Sequence, residues 1–371
     1  MSGSTKNSLL SLSVSGLLSL SAAVLLLAGC APRVATSFWR IGTPADSTRA
    51  GYAVLHEGNK VRHCYPVREW VDTLPSLQGG VGGRLDTYHS FHHHGVAVES
   101  EQMAYRIYFD KKQTIDVYCK RTPRLELATS YWYPDDSLLA LGYGDDILRV
   151  SGTVGVGSVK YWDTRSPLNA KRSPLRHIEP VAERSQRIVR QSRNKATVEV
   201  AVKGWQPNKP LTGEADKPID MSVQYTLCAG HRDMRCDVTL SHPVHGLCTG
   251  VQSIPNKGQQ LMANSQWLSE QLPNGTLLAS WGTDWPVNDT VKYAKETVGL
   301  AVFIPKQYAG EQVQDASNNL CLLNALPLRE GTGIGCHFYL TCVGATKEDN
   351  PVATNAAEWT DYLHRWAATL K

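Results

Sequence analysis

The sequence predicts a mostly β protein, a large antiparallel β-sandwich that ends in one amphipathic helix. Two observations predict this class. Short runs rich in β-branched and aromatic residues recur along the chain, at 105–109, 114–118, 147–150, 197–202, 221–227, 236–240, 298–304 and 336–343. No segment of helical periodicity separates them, which argues against alternating strand and helix units and for packed antiparallel sheets.

Two elements are specified more closely. Segments 222–228 and 236–241 flank a short polar loop at 230–233, which is typical of a β-hairpin. Near the C-terminus, Asn355 followed by Glu358 is a helix-start signal. Apolar residues then recur at helical spacing, at Trp359, Tyr362, Leu363, Trp366 and Leu370. We expect this helix to lie across a sheet.

The N-terminal segment is typical of an exported lipoprotein. The first thirty residues carry one charge, Lys6, which precedes an apolar run at 17–27. The run ends in Leu27-Ala28-Gly29-Cys30, which resembles a bacterial lipobox. We therefore predict a signal peptide at 1–29, a lipidated tether at 30–50 that begins with Cys30, and a single domain at 51–371. The chain is then anchored to a bacterial membrane by lipid, in the periplasm or at the cell surface. The alternatives are an uncleaved anchor helix and ordinary secretory cleavage.

The amino-acid composition limits the classes of partner and cofactor that we expect for the chain. The chain has 38 Lys and Arg against 34 Asp and Glu, a balance that gives no electrostatic reason to bind nucleic acid. It has 10 Trp and 15 Tyr beside 5 Phe, and such rings serve sheet packing or sugar stacking equally well. Eight cysteines follow Cys30 without Cys-x-x-Cys spacing, so disulfides are permitted, a structural zinc site is disfavoured, and no cofactor is predicted.

The densest group of titratable residues lies between positions 89 and 110. It supplies most of the predicted catalytic residues, His94, Glu99, Glu101, Tyr105 and Arg106. Imidazole and carboxylate groups this close together provide an acid and a base near neutral pH. If 92–94 is extended, two histidines share a face and need a third ligand to hold a divalent cation. A solvated loop, exposed glutamates and a structural salt bridge of Arg106 are the alternatives.

Further candidates lie outside that group. Asp146 follows a glycine-containing turn and is the sixth predicted catalytic residue, and Lys120 is a predicted substrate-binding cation. Trp281, Asp284 and Trp285 form a turn-like stretch that suits a sugar platform with a hydroxyl acceptor, or a purely structural role. The basic stretch 171–195 suits an acidic glycan or an outward strand face.

Several of these motifs occur together in one order. They are His94-Gly95, Glu99, the segment 104–110 (AYRIYFD), the segment 115–120 (IDVYCK) and the segment 144–148 (GDDIL). In this arrangement the chain resembles a bacterial family known as domain of unknown function 4861. That family looks related to the galactose-mutarotase-like β supersandwich, which aldose epimerases, some glycoside hydrolases and several polysaccharide lyases share. Its setting is similar to that of lipoproteins in carbohydrate-degrading systems.

The resemblance implies a carbohydrate-active enzyme of an exported glycan-degrading system, a lyase or hydrolase of uronate-containing oligosaccharides. In the lyase version Arg106 or Lys120 neutralises the uronate and His94 or Tyr105 moves protons. Glu99, Glu101 or Asp146 orients these groups. Because fold alone does not establish a reaction, a non-catalytic glycan-binding lipoprotein and a mutarotase-like sugar isomerase remain as alternatives.

Overall fold

The computed structural model describes two parts of the chain. Near the N-terminus it describes the backbone of three strands, at 34–37, 53–56 and 60–64. From residue 92 onward it describes 92–127, 130, 133–166, 173–192, 194–207, 217–254, 267–329, 331 and 333–370. Residues 33–371 form one compact unit. The predicted signal peptide and Cys30 lie outside the described residues.

The described strands and helices are as follows in chain order. The strands are β1 (Val34–Ser37), β2 (Ala53–His56), β3 (Lys60–Cys64), β4 (Gly95–Ser100), β5 (Met103–Tyr108), β6 (Ile115–Cys119), β7 (Asp145–Asp146), β8 (Lys160–Trp162), β9 (Leu175–Arg176), β10 (Glu183–Gln191), β11 (Lys195–Trp205), β12 (Ile219–Cys228), β13 (Met234–Leu240), β14 (Leu247–Gln252), β15 (Trp267–Leu272), β16 (Gly275–Asp284), β17 (Glu296–Pro305), β18 (Ala309–Gln314), β19 (Asn318–Leu323), β20 (Leu326–Pro327) and β21 (Ile334–Gly344). The helices are α1 (Asp136–Ala140) and α2 (Ala356–Thr369), and His92–His94 forms one 3₁₀ turn.

Three antiparallel sheets are built from these strands. The central sheet runs in the order β15-β16-β17-β21-β13-β12-β11-β10-β2-β3, with β20 added on β21. The N-terminal sheet runs β1-β4-β5-β6-β7, and the third sheet runs β18-β19-β14-β8-β9. Strand β4 contacts β11 and β12, whereas β14 contacts β16 and β17. Both smaller sheets therefore pack on the central sheet and form a sandwich.

The main core lies between the central sheet and the two smaller sheets. Its side chains come from all three, for example Val117 of β6, Val200 of β11 and Val251 of β14. The pattern that forms it is clear in β12, where buried residues alternate with half-buried or exposed ones along the whole strand. Alternation of this kind places one face of a strand in the core, because successive side chains point to opposite faces.

Helix α2 covers the other face of the central sheet at the β16–β17 end. The Asn355 side chain accepts a hydrogen bond from the Glu358 amide at 3.0 Å, and the Glu358 carboxylate accepts one from the Thr354 amide at 2.7 Å. These bonds satisfy amides at the helix start that have no partner within the helix. Trp359 and Leu363 are fully buried against the sheet.

The structure confirms the predicted fold class: mostly β, with antiparallel sheets and a C-terminal helix. The predicted hairpin is also confirmed, since β12 pairs with β13 from Leu227 opposite Met234 to Met221 opposite Leu240. One strand, β1, lies within the segment predicted as a tether and pairs with β4. Among the described residues, no helix has the length and apolarity needed to span a membrane.

Candidate active site

The outer face of the N-terminal sheet carries buried charge. On β5 and β6 the side chains of Tyr105, Ile107 and Val117 point into the main core. Alternation then turns Arg106 and Asp116 to the opposite face. That face is also shielded from solvent, because residues of the segment that follows β6, such as Leu127 and Tyr133, pack on it. Arg106 is completely buried there.

The strand register explains how Arg106 is accommodated. Arg106 and Asp116 are direct partners across the β5–β6 pair, and the guanidinium donates to Asp116 Oδ2 at 2.7 Å. The guanidinium carbon also lies 4.1 Å from the ring centroid of Tyr118 and 4.8 Å from that of Tyr133. An ion pair and two cation–π contacts together offset the cost of burying this cation.

A cleft of about 380 Å³ opens beside this ion pair. Its floor comes from β5, β6 and β7, and one wall comes from the segment that follows β16. The lining residues are Tyr108, Asp110, Lys112, Thr114, Asp116, Tyr133, Asp146, Leu148, Arg149, Val150, Ser151, Pro286, Val287, Asn288, Asp289 and Tyr293. Its volume falls within the range of small-molecule sites.

Two buried carboxyl groups from neighbouring strands line the cleft. Asp146 lies opposite Tyr118 on the neighbouring strand, so it is a diagonal neighbour of Asp116. Burial, reinforced by the charge of Asp116, raises the pKa of Asp146 well above its usual value. Burial also raises the pKa of Asp116, although Arg106 and a hydrogen bond from Tyr108 oppose that shift. Such a pair can hold one proton, so that one carboxyl can act as an acid and the other as a base.

The cleft is polar and contains both signs of charge. Lys112 and Arg149 are the cations among the lining residues, and Arg149 donates to Asp284 Oδ2 at 3.0 Å. Burial, followed by the charge of Asp116, raises the pKa of Tyr108, so its hydroxyl stays protonated and can donate. The site can therefore bind a polar ligand and exchange a proton with it.

A family model described as Domain of unknown function (DUF4861) matches residues 80–371. The chain belongs to this family. No curated protein matches it in sequence. All the residues that line the cleft fall within the matched DUF4861 region.

Two of the predicted site residues form a buried ion pair in the DUF4861 domain. The Lys120 ammonium donates to Glu99 Oε2, and both side chains are almost completely buried. Glu99 also accepts the amide of Glu126 at 2.8 Å and that of Leu127 at 3.0 Å. Glu99 thus holds the segment that follows β6 against the sheet, and neither Glu99 nor Lys120 lines the cleft.

The histidine run adopts a conformation that the sequence reasoning did not foresee. His92–His94 is not extended but forms a 3₁₀ turn, in which His93 and His94 have φ values of 53° and 57°. The expectation that two of these histidines share one face of an extended strand is therefore wrong. His94 does not line the cleft, but its ring stacks on that of the lining residue Tyr108 with centroids 5.4 Å apart. His93 Nε2 bonds to the carbonyl of Leu127 at 2.8 Å.

Two predicted residues lie on other faces of the sheets. Tyr105 is buried on the core side of β5, and its hydroxyl donates to the carbonyl of Arg232. Trp281 is buried beneath α2, with its ring centroid 6.4 Å from that of Trp359. Neither ring lines the cleft. The prediction that Trp281 stacks on a sugar is wrong, because helix α2 covers the ring.

The remaining predicted site residues do not line the cleft. Asp284 meets the cleft through its bond to Arg149. The half-buried ring of Trp285 has the Lys295 ammonium 5.5 Å from its centroid and immediately precedes the cleft wall. Glu101 is half-buried in the turn between β4 and β5. Of the six predicted catalytic residues, Asp146 lines the cleft and Arg106 lies directly against it through Asp116.

Sequence reasoning assigned no role to several residues that form the cleft. Asp116 was available as a signal, because an acidic residue in the β-rich run Ile115–Cys119 needs a buried partner or a ligand. Tyr108 belonged to the group around His94 without receiving a role, and Asp110 was considered only as an ion-pair partner of Arg106, whose partner is Asp116. Arg149 carried no local signal. Among the described residues, no group of three or more metal-ligand side chains could hold an ion.

Proposed function

We propose that the cleft binds a sugar residue of a glycan and that Asp116 and Asp146 perform acid–base chemistry on it. The chain is then a carbohydrate-active enzyme of an exported glycan-degrading system. One observation carries this proposal, the pair of buried carboxyls with raised pKa values at the floor of a ligand-sized cleft. Perturbed pairs of this kind are concentrated at sites where protons are transferred.

The lining supports a sugar as the ligand. Tyr108, Tyr133 and Tyr293 supply rings against which the apolar face of a pyranose packs. Carboxylates supply acceptors for hydroxyl groups, and two cations supply donors. A uronate carboxylate finds its cation in Lys112 or Arg149, which line the cleft. The ion pair of Arg149 with Asp284 is partly exposed, whereas Arg106 and Lys120 are held in buried ion pairs.

The carboxyl pair favours hydrolysis over β-elimination. Most glycoside hydrolases use two carboxyl groups, one that protonates the leaving oxygen and one that acts as base or nucleophile. Elimination depends instead on a cation that neutralises the uronate and on a base beside it. The cleft contains both kinds of group, so the products distinguish the two reactions.

The test is a screen of the purified chain on uronate-containing and neutral oligosaccharides. New reducing ends report hydrolysis, and ultraviolet-absorbing unsaturated ends report elimination. We expect Asp146→Asn to lower kcat by about 100-fold or more, the usual contribution of a general acid or base. Asp361→Asn, an exposed carboxylate on α2, is the matched control and should keep full activity.

Other outcomes favour the alternatives. Sugar binding without turnover favours a glycan-binding lipoprotein, and interconversion of anomers observed by NMR favours an isomerase. Full turnover by Asp146→Asn contradicts the assignment of the carboxyl pair.

We propose the lipid-anchored, exported setting on sequence grounds, from the lipobox at Cys30. Cys30→Ala removes the acyl acceptor and leaves the apolar run before it intact. We expect the variant to be exported but released from membranes. A variant that still sediments with membranes after a high-salt wash contradicts lipid anchoring at this residue.

A further inference from the structure

The turn between β5 and β6 delivers two charged side chains to the cleft. Asp110 and Lys112 both line it. Within the turn, Asp110 Oδ1 accepts the amides of Lys112 at 2.8 Å and Gln113 at 3.0 Å. Gln113 has a φ of 46°, in the left-handed region that a residue with a side chain rarely adopts. A strained turn of this kind persists only where the surrounding structure holds it.

Strand β8 of the third sheet holds this turn from beneath. Lys160 is completely buried, and its ammonium donates to the carbonyl oxygen of Lys112. Two residues earlier, the hydroxyl of Ser158 accepts the amide of Ile115 at 3.1 Å. The second half of the turn and the first residue of β6 are therefore attached to the start of β8 and to the residue two positions before it. Lys160 makes the contact nearest to the charged residues of the cleft.

The second neighbour of the Lys160 amine is a histidine. His177 Nδ1 lies 3.2 Å from Lys160 Nζ. Burial, followed by the charge of Lys160, lowers the pKa of His177 to about 3, so the imidazole is neutral at ordinary pH and its Nδ1 can accept. Among the described residues no carboxylate lies within ion-pair distance of Lys160. Lys160 is thus a buried amine held by two uncharged acceptors.

Such an amine is unusual because burial disfavours its charged form. Burial lowers the pKa of Lys160 to about 7, and Asp110 only partly opposes this. The titratable and charged groups that face Lys160 from the surrounding elements are Asp110, Lys112, His177, Arg184 and Cys248. None of them is a described ion-pair partner that would keep the amine charged.

We propose that Lys160 is a positioning residue of the cleft, whose buried amine fixes the turn that presents Asp110 and Lys112. Only the kinetic test with a sugar ligand depends on the proposed function; the test of the turn itself does not. In the protonated state the bond to the Lys112 carbonyl is charge-assisted and therefore stronger. Deprotonation weakens that bond and removes a positive charge from beneath Asp110.

The first test follows the turn itself and needs no ligand. Hydrogen exchange of the Lys112 and Gln113 amides is measured on the full chain one pH unit below and above the Lys160 pKa of about 7. After correction for intrinsic exchange, we expect protection to be about fivefold greater at the lower pH, the effect of roughly one kcal/mol. Amides of the β12–β13 hairpin report global stability in the same spectra.

Two replacements of Lys160 separate its roles. Lys160→Gln keeps a donor without a titrating charge, so we expect intermediate protection that no longer depends on pH. Lys160→Met keeps an unbranched apolar side chain of nearly the same length without a donor, so we expect the turn to lose protection at both pH values. Lys306→Met, which removes an exposed lysine, is the matched control and should behave like the wild type.

The experiments distinguish a failure of the Lys160 inference from a failure of the proposed function. Wild-type protection and pH dependence in Lys160→Met overturn the inference, and so does an equal loss of protection in the turn and in the β12–β13 hairpin. If the screen identifies an oligosaccharide that is turned over, Lys160→Gln should raise KM more than it lowers kcat and should flatten the pH profile near neutrality. If no sugar binds, the proposed function fails, while the exchange experiment still decides the role of Lys160.

Discussion

Replacement of Glu99 by alanine tests whether this residue holds the fold or performs chemistry. The change removes the acceptor of three donors, the Lys120 ammonium and the amides of Glu126 and Leu127. Breaking a buried ion pair costs about 3–5 kcal/mol, and each buried amide left without an acceptor costs about 1–3 kcal/mol. Because such terms are not additive, we expect a loss of roughly 5 kcal/mol in the free energy of unfolding.

That loss is comparable to the whole stability of an ordinary domain, about 5–15 kcal/mol. Urea unfolding followed by tryptophan fluorescence measures it. Glu311→Ala, at an exposed position on β18, is the control and should change stability by less than about 0.5 kcal/mol. Adding Lys120→Met to Glu99→Met should recover part of the loss, since both charges then disappear. A Glu99→Ala protein that loses less than about 1 kcal/mol but has no activity would refute the structural assignment.

Three further predictions concern stability. The pKa of the Asp146 carboxyl is raised in the folded protein, so the wild type loses stability as pH rises above the unfolded pKa of about 3.9. Asp146→Asn removes this carboxyl but keeps an oxygen that accepts the Leu148 amide. Thermal unfolding should show the variant about 1 kcal/mol more stable near neutral pH, with no gain below about pH 3.9; a gain that grows as pH falls contradicts the sign. Trp359→Ala should cost about 3–5 kcal/mol in urea unfolding, because α2 loses its central contact with Trp281; a cost under about 1 kcal/mol would place the ring outside the core. Asn355→Ala should cost about 1 kcal/mol by loss of the helix cap, which urea unfolding also measures, and Asn355→Asp should not.

The fold class could be predicted because its signals are local. Alternating burial along β12 and the helical stripe of α2 are both properties of short segments, and they hold wherever the segments pack. The hairpin β12–β13 is equally local, since its two strands are separated by one short loop. The side of the sheet that α2 covers is not a local property. That is why Trp281, which lies beneath the helix, was assigned to an exposed platform.

The site was only partly predictable for a related reason. Arg106 and Asp116 are ten residues apart and meet because β5 and β6 pair in one particular register. A shift of one residue would have placed them on opposite faces. The role of Glu99 depends on the segment that follows β6, which has no periodic pattern. Asp146 was predicted from its place after a turn, and its contact with the cleft follows from the pairing of β7 with β6.

The buried charges at the cleft floor also assign roles to the two carboxyls. Arg106, Asp116 and Asp146 are all at least nine-tenths buried, and a buried set is least costly when its total charge is near zero. One cation and two carboxyls reach that state when a single proton is shared by the carboxyls. Asp116 contacts the guanidinium directly at 2.7 Å, so we expect the ionised form at Asp116 and the proton on Asp146. In the hydrolysis that we propose, Asp146 would then be the acid that protonates a leaving oxygen, and Asp116 would be the carboxylate that stabilises positive charge or accepts the next proton.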